Sequence, residues 1–133
     1  MTGLFTWAEI LEGKHLIGFH TPTRKELMTL QDYQELAGRT LKVGRHPKDA
    51  AANMAMGLAG EAGEVCDYLK KVLFHDHNMD RKALALEIGD VLWYLAGLCS
   101  RLGMNLEDVA QMNIDKLKAR YPNGFTEEAS RAR

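Results

Sequence analysis

The chain has 133 residues, 46% hydrophobic and 26% charged, with seventeen basic and eighteen acidic residues for a formal net charge of -1. That length suits one compact domain better than two, and the composition excludes a disordered chain. The balanced charge excludes a general attraction for nucleic acid polymers and leaves only a local basic patch as a route to them.

The N-terminus MTGLFTWAEILEGK lacks a basic start followed by an apolar run, so no signal peptide is expected and a cytoplasmic protein is the default. Thr6 with Glu9 can form a capping box for a short helix over 7–11, after which GKHLIGFHTPT reads as irregular. The first clear helix is LMTLQDYQELAGRTL, with Thr23 or Thr29 as N-cap and Leu30, Tyr33, Leu36, Ala37 and Leu41 at helical spacing. After the break VGRHP a second helix runs over roughly 48–73, and FHDHNM is a polar connection. Asp80 caps a third helix that stops at Gly103. Asn105 caps a fourth, ended by YPNG at 121–124, and the polar tail FTEEASRAR gives no sign of whether it packs.

The three prolines, Pro22, Pro47 and Pro122, fall between these patterns, and strand-like alternation is absent. The fold class is therefore all-α, and short links between long helices predict a four-helix-bundle-like arrangement. The third helix is apolar nearly all round and needs cover on more than one side, so a homo-oligomer is expected. Residues 83–99, ALALEIGDVLWYLAGLC, are somewhat short for a membrane span and carry Glu87 and Asp90 at their middle, so no membrane partner is expected. Cys66 and Cys99 each sit in an apolar helical pattern and read as buried free thiols in a reducing compartment.

Two carboxylate pairs stand out. Glu87 and Asp90 are three apart on the apolar third helix, with Tyr94 one turn further along the same face. Glu61 and Glu64 repeat the spacing on the second helix, inside the glycine-rich stretch GLAGEAGEV, with Lys71 two turns beyond. Burying one unpartnered carboxylate costs several kcal/mol or forces it neutral, and four together also repel. Mg²⁺ or Mn²⁺ resolves that conflict, because hard cations prefer oxygen ligands and commonly bind through a few carboxylates plus substrate phosphates. On the fourth helix Asn113, Lys116 and Arg120 form one stripe of donors suited to a polyphosphate. Taken singly, each of these features reads as solvated helix surface, apart from Glu87 and Asp90. Gly57, Gly60 and Gly63 each cost about 1 kcal/mol relative to alanine, and would let a neighbouring helix or a bound nucleotide approach the backbone closely. His75 and His77 read as exposed loop residues, and Trp93 as a packing residue.

The order E-x-x-E (Glu61, Glu64), then E-x-x-D (Glu87, Asp90), together with LQDYQELAGRT, LAGEAGEVCDYLKK, EIGDVLWYLAGL and NIDKLKARYPNGF, resembles the MazG-like nucleoside triphosphate pyrophosphohydrolases. The resemblance runs from about Thr29 to the C-terminus, which divides the chain into an N-terminal extension over 1–27 and a helical pyrophosphohydrolase domain over 28–133. It implies hydrolysis of a (d)NTP to the monophosphate and pyrophosphate, dependent on Mg²⁺ or Mn²⁺ with two or more ions per site. It further implies a dimer or tetramer that completes the active site across an interface. By position Glu61, Glu64, Glu87 and Asp90 are the implied metal ligands, with Glu64 also the candidate to orient or deprotonate the attacking water. Lys71, Tyr94, Asn113, Lys116 and Arg120 are the implied substrate-binding residues, and Asp32, Tyr33 and Gln34 lie where the first helix could help recognise the nucleotide. Phosphoribosyl-ATP pyrophosphohydrolase is the alternative activity, and a noncatalytic helical interaction module the alternative from another class.

Overall fold

A computed structural model describes residues 27–42 and 46–132. The helix expected over 7–11, and all but Leu27 of the N-terminal extension, lie outside the described residues. Those residues form five helices: α1 (Leu30–Gly38), α2 (Pro47–Phe74), α3 (Arg81–Arg101), α4 (Leu106–Arg120) and α5 (Glu127–Arg131). No β-strand occurs among them, and the all-α expectation holds.

Capping sets the helix starts. Thr29, not Thr23, opens α1: its Oγ1 accepts from Asp32 N at 3.0 Å while its own N donates to the Asp32 carboxylate at 2.9 Å. The reciprocal pair satisfies two donors that a helix start leaves open. Pro47 lies inside α2 at its first turn, where a missing N–H costs nothing. The Asp80 carboxylate accepts from Lys82 N and Ala83 N to start α3. Asn105 does the same for α4 through Glu107 N and Asp108 N. Between α3 and α4 the chain turns at Gly103, whose φ of +68° is open to glycine without strain. The tail does form structure, a short α5 capped by Thr126 Oγ1 on Ala129 N.

α2 and α3 make an antiparallel hairpin, the most extensive helix contact, and α1 lies against α3 and the start of α4. Tyr68 pins the closed end of that hairpin. Its hydroxyl donates to Asp80 O at 2.9 Å and accepts from Asp80 N at 2.7 Å. At the other end, Gln34 clips α1 to the α3–α4 turn. Its amide donates to Ser100 Oγ and Met104 O and accepts from Leu106 N at 2.7 Å. The core is small. Ala96, Cys99 and Leu106 are buried beneath Leu30, Tyr33, Ala37, Leu92 and Val109, with Ala50 and Met54 buried separately on α2.

Much apolar surface stays open within one chain. Leu86 and Ile88 on α3 are 63% and 53% exposed, and every residue of α4 from 111 to 120 is exposed. Cys99 is buried as expected and its thiol is pushed up by that burial, but Cys66 is exposed. Residues 50, 54, 57, 58, 61, 65, 68 and 72 make the covered face of α2, and Cys66 falls beside it. α3 is the one described helix long and apolar enough to cross a membrane. It carries Glu87 and Asp90 at mid-length and packs against α1 and α2.

Candidate metal and nucleotide site

The hairpin register brings the acidic residues together. Counting seven residues back from Tyr68 on α2 and seven forward from Asp80 on α3 reaches Glu61 and Glu87. Seven residues are about two turns, so the pair stands level across the interface. Asp90 follows on the same face of α3. Ligand oxygens of Glu61, Glu87 and Asp90 all lie within 4.8 Å of one another, the two glutamates half-buried and the aspartate exposed. Oxygens on opposite sides of a Mg²⁺ ion stand about 4 Å apart, given bonds of about 2.1 Å. The three carboxylates thus fit round one hard cation with small side-chain shifts, and all-oxygen donors are what such an ion prefers.

Glu64 stands outside this trio, exposed on α2 one turn beyond Glu61. Lys71 is exposed and paired with Asp67 at 2.5 Å; Asp67 also holds Lys70 at 2.6 Å. Hydrogen bonds from Lys70 and then Lys71 pull the Asp67 carboxyl down to about 2, and the Asp67 bond raises Lys71. Asn113, Lys116 and Arg120 are exposed along α4. Among the described residues no hydrogen bond or ion pair joins them to the acidic cluster, and the Arg120 guanidinium lies 5.8 Å from the Tyr121 ring centre. On α1, Asp32 and Gln34 are occupied by the cap and the clip described above. Tyr33 is half-buried, its hydroxyl pushed up by burial and then by the Asp90 charge.

Tyr94 is where the site continues. Its ring lies so close to Gly57 that a Cβ on that residue would fall among Cδ1, Cε1 and Cζ. Gly57 therefore exists for a ring, whereas Gly60 and Gly63 face open space within one chain. A second glycine of this kind, Gly97, admits Met54 Sδ, which would lie 2.6 Å from an added Cβ. Tyr94 stands edge-to-face with Trp93, ring centres 4.9 Å apart. Both rings line a cleft of about 310 Å³ together with Thr40, Lys42, Asn53 and Arg101, over a floor of Ala50 and Met54. Trp93 Nε1 donates to Thr40 Oγ1 at 2.8 Å, so this expected packing residue also walls a cleft.

Sequence reasoning missed the cleft. Arg101 reads as an ordinary cation in the last turn of a helix, and Thr40, Lys42 and Asn53 carry no motif. Only the lone charged residue terminating an apolar helix hinted at it.

Residues 50–125 match the family model described as the MazG nucleotide pyrophosphohydrolase domain. The chain belongs to this family. The MazG match covers more than half the chain and takes in the acidic cluster, Tyr94 and the stripe on α4, while α1 precedes it. Among curated proteins, the "Gene 37 protein" of Mycobacterium phage L5 is similar, 40% identical over 75 residues. That alignment takes in 53% of this chain and 66% of the phage protein, so this MazG chain spans just under two thirds of that relative. No solved structure matches.

Proposed function

We propose that this MazG-family chain hydrolyses nucleoside triphosphates to the monophosphate and pyrophosphate with a divalent cation, Mg²⁺ or Mn²⁺. The observation that carries the reading is the convergence of Glu61, Glu87 and Asp90 from two helices within 4.8 Å. A scaffold gains nothing from three facing carboxylates, since like charges at this range repel. Glu61, Glu87 and Asp90 hold the cation, with Glu64 one turn away as the additional ligand for a second ion. A cation there supplies Lewis-acid activation of water and neutralises phosphate charge. Glu64, exposed one turn from Glu61, orients the attacking water and takes its proton. Tyr94, packed on Gly57 one turn from Asp90, positions the sugar between the acidic cluster and the aromatic cleft.

Lys71, Asn113, Lys116 and Arg120 serve the phosphates in this reading, and a second copy of the chain supports it. The exposed apolar residues on α3 and α4 need cover, and a partner seated there excludes water from the site and brings cationic side chains toward the acids. A homodimer or tetramer is thus part of the proposal, and light scattering on the purified protein tests it.

The decisive experiment incubates the protein with each canonical NTP and dNTP plus Mg²⁺ or Mn²⁺, and scores pyrophosphate against phosphate release. Pyrophosphate release that needs the cation supports the proposal. Phosphate release alone, or no hydrolysis of any nucleotide, overturns it.

A further inference from the structure

We propose that the cleft holds the nucleobase and that Arg101, with Lys42, makes it select keto bases (uracil, thymine, guanine) over amino bases (adenine, cytosine). The inference rests on the hydrolytic reading above for the position of the phosphates, and goes beyond it in naming which nucleotides are taken.

The hydrogen-bonding groups round the cleft are unevenly divided between donors and acceptors. Thr40 Oγ1 spends its hydrogen on Ala37 O at 2.8 Å and accepts from Trp93 Nε1. The hydroxyl and the indole therefore have no donor to spare. Arg101 Nη2 donates to Lys42 O at 2.5 Å, which holds the guanidinium in place. Its Nε is buried, without a hydrogen-bond partner among the described residues and closed to a ligand, so the guanidinium meets the cleft through its remaining Nη hydrogens. Lys42 adds an ammonium, and Asn53 offers one donor and one acceptor group, so its amide takes no side. Among the described residues no carboxylate lines the cleft. The surplus is of donors, and a buried donor is costly unless an acceptor meets it.

A keto base presents a carbonyl oxygen where adenine and cytosine present an amino group. Guanine adds N7 beside its O6, a pair that arginine matches well. An amino group in the same place sets donor against donor. The two ring walls, Trp93 and Tyr94, offer apolar and stacking surface for any base, so discrimination falls to the Arg101 end.

The layout suits a nucleotide lying along α3. Arg101 is eleven residues past Asp90, about 16 Å of helix. Helical side chains lean toward the N-terminus, so Arg101 reaches back toward Tyr94 and shortens that span. Phosphates at the acidic cluster, sugar at Tyr94 and base edge at Arg101 then follow in chain order.

The test measures kcat/KM for dUTP, dTTP, dGTP, dCTP and dATP on wild type, Arg101→Met and Arg101→Lys. Calorimetric titration of dUMP and dCMP without metal runs beside it. Wild type is expected to favour keto nucleotides by about tenfold or more, the factor that one net hydrogen bond supplies. Arg101→Met is expected to bring that ratio to within about threefold of unity. Arg101→Lys keeps the charge and a donor for Lys42 O but removes the rest of the guanidinium fork, and should lower the ratio if the Met variant does not fold. dUMP, which differs from dCMP at this one edge, should bind more tightly. Hydrolysis without keto preference, or a ratio unchanged in either Arg101 variant, overturns the base reading while leaving the catalytic one standing. Absence of hydrolysis with dUMP still preferred sinks the catalytic reading alone, and absence of both sinks the two together.

Discussion

Gly57→Ala and Gly60→Ala make the same chemical change on the same helix, three residues apart, and should move stability in opposite directions. A helix interior gains about 0.5–1 kcal/mol when alanine replaces glycine, through lost backbone freedom in the unfolded chain. At Gly60 nothing lies within 4 Å of the added Cβ, so that gain stands unopposed. At Gly57 the Cβ overlaps three carbons of the Tyr94 ring. Relief requires the ring to leave its place against Trp93, and overpacking of this kind costs about 1–3 kcal/mol. The net expectation is about 1–2 kcal/mol of destabilisation for Gly57→Ala against about 0.5–1 kcal/mol of stabilisation for Gly60→Ala. Thermal melts followed by far-UV circular dichroism should separate the two by about 5–11 °C for a chain of this size. Because Tyr94 walls the cleft, Gly57→Ala should also raise KM for nucleotide, while Gly60→Ala tests the helix alone. Equal melting temperatures, or a more stable Gly57→Ala, would refute the packing argument. A destabilised Gly60→Ala would show that the open face is filled by another chain.

Three further outcomes are expected. Glu87→Gln or Asp90→Asn should abolish turnover while leaving the helical circular dichroism, and either should remove the rise in melting temperature that Mg²⁺ or Mn²⁺ gives wild type; normal activity in either variant would end the metal-site assignment. Tyr68→Phe removes both bonds to Asp80 and should cost about 1–2 kcal/mol in urea unfolding, with weaker metal binding because the register that sets Glu61 opposite Glu87 loosens; an unchanged metal affinity would separate the pin from the site. Asp67 has a folded pKa near 2, depressed from 3.8, so its ion pairs contribute stability above the higher value that is lost as pH falls toward the lower. Both lysines are exposed and the aspartate is half-buried at the surface, so the effect is small and screened by salt. In low salt, wild type should lose more melting temperature than Asp67→Asn between about pH 4 and pH 2, and parallel curves would refute the linkage.

Helix ends were legible because they are local. Thr29, Asp80 and Asn105 each satisfy backbone donors within three residues, a pattern visible without any partner. The acidic quartet was legible for another reason: Glu87 and Asp90 interrupt an apolar helix, and ionisable groups in such a place need a cause. Legibility ended where a role depends on what crosses the helix. Nothing in DYQ says that Gln34 clips α1 to the α3–α4 turn, since it is an ordinary polar residue whose partners lie far along the chain. The burial of Cys66 was misread because an apolar pattern shows that a helix has a covered face without fixing where that face ends.

The amino-acid sequence by itself determined an all-α chain, the starts of its helices, the two carboxylate pairs and the family to which they point. Those follow from short-range rules of capping, periodicity and the cost of charge among apolar residues. The tertiary structure alone decided which carboxylates meet. Tyr68 locks the α2–α3 hairpin in a register that sets Glu61 level with Glu87 and leaves Glu64 one turn outside the trio. It also split the three glycines of GLAGEAGEV, giving Gly57 a ring to admit and leaving Gly60 and Gly63 open. The cleft at Arg101 likewise exists only once α1 and its trailing residues are laid against α3, because its α3 wall is distant in the chain from the other two segments and close to them in space.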